Sequence, residues 1–157
     1  MGKSILIRCG KLYDGIHNEL QENMEILVQG KYIAAVGKNL SRPADAEIVD
    51  LSDATVTPGM IDAHVHPDFM DSESFFQEAL YASDNWKTLA TLRCAQKALK
   101  RGFTTLRTLG SFSTYSYVCV DVKRAIDEGY FPGARLVVSQ GCATSGSHGD
   151  FTQHLRN

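Results

Sequence analysis

Two imidazoles one residue apart, His64 and His66, follow a carboxylate, Asp62, in the run Pro58-Gly59-Met60-Ile61-Asp62-Ala63-His64-Val65-His66-Pro67. On an extended strand, alternate side chains share a face. Strict alternation predicts Ile61, Ala63 and Val65 on an apolar face, with Met60, Asp62, His64 and His66 on the other. Two neutral imidazoles on one strand face can ligate the same divalent ion. A catalytic metal needs further protein ligands and an open position for water. Asp62 is placed to orient a ligand imidazole, as carboxylates behind metal-bound histidines do. A bare His-x-His pair is by itself a weak signal, since two polar residues facing solvent give the same spacing.

The elements that must position this run differ on its two sides. Residues 1–57 read as short strands and turns: 5–7 ended by Cys9-Gly10-Lys11, 24–29 with Met24, Ile26 and Val28 on one face, 32–36 ended by Gly37, then 48–49 and 55–57. Period-two patterning with glycine punctuation predicts a small antiparallel sheet or half of a sandwich. From Pro58 onward, strands alternate with helices. Strands are predicted over 60–66, 103–109 and 135–139. Helices are predicted around 73–82, from a cap at Ser83 or Asp84 to about 100, and over a face of Val118, Val122, Ala125 and Ile126. The second helix takes Trp86, Leu89, Ala90, Leu92 and Leu99 as its apolar face, with Gly102 as its stop. The order strand–helix–strand–helix–strand is that of a parallel sheet with helical crossovers, so the fold class is α/β.

The run 58–67 resembles the signature of the amidohydrolase superfamily, proline–glycine, two hydrophobic residues, then D-x-H-x-H at the end of the first barrel strand. Residues 1–57 resemble that family's N-terminal β-sandwich segment, and 58–157 the first three βα units of its TIM-type (β/α)8 barrel. The resemblance implies His64 and His66 as metal ligands, and a divalent ion, zinc first, with one or two bound in a complete protein. Gly102 to Gly110 is similar to the family's second-strand run, G-hydrophobic-T-T-hydrophobic-R-D, with Thr108 where Asp is usual. That departure removes a carboxylate expected near the barrel mouth. Strand alternation leaves open whether Arg107 is a buried anchor or faces the pocket. Gly146-Ser147-His148-Gly149-Asp150 resembles the GGHGD loop of the prolidase-like, dipeptide-cleaving branch, with Ser147 for one glycine. The resemblance makes His148 a candidate for substrate contact, beside the plainer reading of a solvated loop histidine.

The implied activity is hydrolysis of a C–N bond, amide or peptide-like, by a metal-activated water. A cyclic amide or a deaminase-type substrate is the alternative class. The family's remaining ligands and its catalytic aspartate come from later strands and have no counterpart before Asn157, so no catalytic residue is assigned within this chain. A complete barrel takes on the order of 250 residues, so the expectation is a truncated barrel, inactive alone and with an exposed edge at its third strand. The competing expectation is a non-catalytic piece that packs against a partner chain.

Composition narrows the rest. A net charge of −2 gives no electrostatic case for a nucleic-acid or membrane partner. The first eight residues lack the apolar stretch of a signal peptide, and no run could span a bilayer. Cys9, Cys94, Cys119 and Cys142 form no Cys-x-x-Cys pair and read as reduced thiols of a cytoplasmic protein. The expected partner is a small amide or dipeptide substrate, and the complete protein is expected to be a homo-oligomer. His17 and His154 read as exposed. Asp68, Asp71 and Glu73 read as acids at a helix start rather than a calcium loop.

Overall fold

The computed structural model describes residues 3–69, 73–74, 77–78, 81–109 and 117–139. They fall into two compact units that divide at Pro58 and Gly59.

The first unit is a four-stranded mixed sheet of β1 (Ser4–Leu12), β2 (Gln21–Gln29), β3 (Tyr32–Gly37) and β4 (Glu47–Val56), in the order β3-β2-β1-β4. β1–β2 and β2–β3 are antiparallel, but β1–β4 is parallel, so of the small antiparallel sheet or half-sandwich expected from the sequence, the antiparallel pairing is corrected at β4. Paired residues on one face bring Cys9, Met24 and Ile26 together with Leu12, and Ile7, Val28 and Val56 pack against them. Two readings of local sequence also change. Segments 48–49 and 55–57 belong to one long strand, β4. Cys9-Gly10-Lys11 does not end β1, which runs through it to Leu12. Gly10 sits where the β1–β4 register shifts, and a Cβ there would lie 2.2 Å from the Ser52 carbonyl oxygen. The glycine permits a close backbone approach inside a strand rather than a turn at its end.

The second unit is a parallel three-stranded sheet, order β5-β6-β7, with β5 (Met60–Val65), β6 (Phe103–Thr108) and β7 (Arg135–Val137). Helices α1 (Asp84–Lys100) and α2 (Val118–Asp127) make the crossovers. Ser83 caps α1, its hydroxyl accepting from the Trp86 amide at 3.3 Å. Gly102, at φ +90°, turns the chain out of α1, and its carbonyl accepts from the Met60 amide at 2.8 Å. The helix end and the start of β5 are thereby tied together. In the segment between β5 and α1, the Glu78 amide donates to the Ser74 carbonyl and the Ala82 amide to that of Glu78, both helical spacings. β7 is shorter than the predicted 135–139; Ser139 instead donates from its hydroxyl to the Thr108 carbonyl at 3.2 Å.

The core of this unit is Ala95, Leu106, Val122, Ala134 and Leu136, with Val65, Leu92, Ala98, Phe103, Ile126 and Val138 packed around it. The predicted apolar face of α1 is corrected in part: Leu92 packs against the core as expected, but Leu99 is exposed. Trp86 and Leu89 are exposed, while Lys87, Thr91 and Ala95 are buried. These lie at i, i+4 and i+8, one helical stripe. Thr91 and Ala95 are small and let the helix approach the sheet closely, and the Ala134 amide donates to the Ala95 carbonyl at 3.0 Å. Large exposed side chains on the opposite face outweigh this stripe in any count of hydrophobicity, which is why the sequence points the wrong way.

Candidate metal-binding site at the end of β5

Val65 packs into the helix-covered core, so its neighbours His64 and His66 point to the opposite, open face of the sheet. Their ring centroids are 5.4 Å apart, with planes at 68°. A tetrahedral zinc with bonds of about 2.0–2.1 Å to two imidazole nitrogens would hold the ring centroids roughly 5 Å apart. The separation of the two rings matches the one that two imidazoles on a single ion would have. Pro67 and Asp68 follow and are fully buried, and Phe69 is buried, so the chain turns inward directly after the pair. The Phe69 ring lies 5.5 Å from His66, tilted by 30°, and forms an apolar wall beside it. Neither the buried aspartate nor this aromatic wall was assigned from sequence; the acidic run 68–73 reads as a solvated helix start until Asp68 is seen at zero exposure.

Strict alternation fails further down the strand. Between Asp62 and Val65 the β5–β6 register shifts: three steps along β5 match two along β6. Asp62 pairs with Leu106, a core residue, and Ile61 with Thr105. Paired residues point the same way, so Ile61 belongs to the open face, consistent with its 68% exposure, and not to the helix-facing side. The Asp62 carboxylate accepts from the backbone amide of His64 at 3.0 Å. It thus fixes the chain at His64 through the backbone.

Thr108, where the resembling family usually has Asp, is buried at 1% exposure on the helix side of β6. Its hydroxyl and that of Thr91 lie beside the thiol of Cys119, which is itself buried on α2. Burial, and after it the charge of Asp68, pushes the Cys119 thiol up to about 11. Position 108 therefore faces an interior polar cluster, not the mouth of the sheet.

Arg107 alternates with Leu106 and Thr108 and so shares the open face with the histidines. Its Nη1 donates to the Ala63 carbonyl at 3.4 Å. His148 lies outside the described residues. No group of three or more His, Cys, Asp or Glu side chains suited to a metal occurs among the described residues, so His64 and His66 are the two donors in view. His17 is largely exposed, with Nδ1 2.7 Å from Asp14, far from this chemistry in sequence and in its own unit. Hydrogen bonds from the His17 and Ile16 amides hold the Asp14 carboxyl well below the usual range. No helix among the described residues is long and apolar enough to cross a membrane.

A parallel α/β sheet with a histidine pair at the exit of its first strand is the class that fold and site define. The sequence profile of the amidohydrolase family matches residues 55–156, and the chain belongs to that family. It is 26% identical over 147 residues to a dihydroorotase of Pelobacter propionicus, covering 94% of this chain and 31% of that protein. Over 63 residues, 40% of this chain and 15% of the other, it is 43% identical to a dihydroorotase of Geotalea daltonii. Among solved structures it is similar to a Xaa-Pro dipeptidase with methionine bound in the active site, at TM-score 0.75 and 26% identity, covering 88% of this chain and 34% of that one. The chain thus spans about a third of the length of relatives that match nearly all of it.

Proposed function

We propose that the natural-length protein carrying this chain hydrolyses a C–N bond, with His64 and His66 holding a divalent ion, zinc first, at the open face of β5. The observation that carries this reading is the 5.4 Å separation of the two rings on that face, in a chain of the amidohydrolase family. When bound, such an ion lowers the pKa of a ligated water and polarises a carbonyl. The roles of this chain's residues follow from their positions. His64 and His66 donate nitrogen lone pairs. Asp62 pins the backbone of His64, and the Phe69 ring walls one side of His66. The remaining donors and the proton-accepting group are supplied from outside the described residues. In this reading residues 1–57 are a β-sandwich segment and 58–157 the opening of a (β/α)8 barrel.

The proposed substrate is a small peptide-like amide. The likeness to the dipeptidase supports it, and so does the loop at His148, proposed to contact substrate. The local identity to dihydroorotases favours a second reading, a cyclic amide. One experiment addresses both. The natural-length protein is stripped of metal, reloaded with zinc, and assayed on a dipeptide panel and on dihydroorotate. Hydrolysis that appears on reloading and is lost in His64→Ala and His66→Ala supports the proposal, and the class cleaved selects the substrate. No metal-dependent hydrolysis of either class, with metal content unchanged by the two substitutions, overturns it in favour of a non-catalytic packing piece.

A further inference from the structure

We propose that Arg107 is the substrate-binding residue that receives a carboxylate of the substrate at this site, an inference that rests on the function proposed above. The placement comes from two alternations read on neighbouring strands. On β5, Val65 packs against the core and its neighbours His64 and His66 face the open side. On β6, Leu106 and Thr108 are buried at 2% and 1% exposure, so Arg107 between them faces the same open side. The register pairs Val65 with Thr108, which sets Arg107 one residue below that rung, beside the backbone of Ala63 and His64.

The guanidinium is not used up by the fold. It carries five donors. Its hydrogen bond among the described residues is the one to the Ala63 carbonyl, and at 3.4 Å this is longer than the usual N–H···O range. No described carboxylate pairs with Arg107, whereas Arg8 meets Glu25 at 3.5 Å and Arg124 meets Glu128 at 2.7 Å. The bond to Ala63 still matters, because it anchors one edge of the planar group against the metal strand and leaves the other edge to a ligand. An arginine fork matches a carboxylate with two parallel hydrogen bonds. Arg135 also lies on an exposed strand position, but at the start of β7, the end of the sheet away from the histidine pair. Arg107 is the guanidinium beside the reacting end. An anionic substrate group there would be held next to the ion's ligands, and a neutral analogue would leave the guanidinium without its acceptor.

The test is equilibrium binding to the zinc-loaded, natural-length protein, with N-acetylglycine and N-acetylglycinamide as matched probes. Wild type is expected to prefer the carboxylate by about 10- to 100-fold. Arg107→Met is expected to bring the two affinities together, and Arg107→Lys to keep part of the preference. Equal affinities in wild type, or a preference unchanged in Arg107→Met, overturn the proposal. If Arg107→Met fails to fold by circular dichroism, Arg107→Lys decides, and an unchanged ratio in it counts against the idea. Binding is measured without turnover, so the two readings separate. A preference that depends on Arg107 in a protein that hydrolyses nothing refutes the function alone. Metal-dependent hydrolysis with both probes equally affected by Arg107→Met refutes the role of Arg107 alone.

Discussion

The rings of His64 and His66 meet edge to face at 5.4 Å across Val65, whose own side chain is packed into the helix-covered core. One partly buried valine thus orients both imidazoles, because a strand that packs one side chain against the core must present its neighbours on the other face. Each histidine is expected to contribute to metal affinity. In His64→Ala or His66→Ala, zinc affinity should fall by more than the roughly 10- to 100-fold that loss of an outer-shell partner costs. Zinc titration with a competing chelator measures this. An unchanged affinity in both variants would remove the pair from any metal site.

Alkaline stability should depend on Cys119. Its thiol is raised from 9.0 to about 11, first by burial. The folded state therefore keeps a proton that the unfolded chain gives up. The resulting contribution is fully present below pH 9 and is lost as pH rises towards 11. Denaturant unfolding at pH 8 and pH 10.5 should show a smaller loss of stability in Cys119→Ala than in wild type. Parallel losses would show that the thiol does not titrate differently on folding.

Restoring the residue usual in the family at position 108 should destabilise this chain. Thr108 is buried, beside the Cys119 thiol, and Asp68 already brings a carboxylate into the same cluster. Thr108→Asp should cost about 2–4 kcal/mol, because a second buried carboxyl must either stay protonated or go uncompensated. Thr108→Val, close in shape, should cost less. A thermal unfolding series decides, and a stable Thr108→Asp variant would place this side chain away from the interior.

Gly10→Ala tests the close approach within the first sheet. The added Cβ would meet the Ser52 carbonyl oxygen at 2.2 Å, and backbone cannot yield as a flexible side chain can. A loss of about 1–3 kcal/mol is expected. An unaffected melting temperature would mean that β1 and β4 part there at little cost.

Much of the fold was legible from residues alone. Glycines at 37, 102 and 129, the cap at Ser83 and the change of period near Pro58 placed most strands and both helices. The errors share a cause. Ending β1 at Gly10, splitting β4 and choosing the Trp86–Leu89 face of α1 are local readings, and each was reversed by what another element packs against. The same holds at the site. The proposed metal chemistry rests on the types and spacing of His64 and His66, and the family resemblance on the ten residues around them.

By itself, then, the sequence determined which residues could ligate a metal, the order of strands and helices, and the family to which the chain belongs. Tertiary structure decided where the other groups point. The register shift between Asp62 and Val65 moved Ile61 to the open face and left Asp62 bonded to the backbone of His64. Pairing with the helices buried Thr108 and turned Arg107 toward the histidines. The reason is physical. A strand's alternation fixes only that neighbours face opposite ways, while a bulge or a packed helix sets which way that is, and both depend on residues distant in sequence.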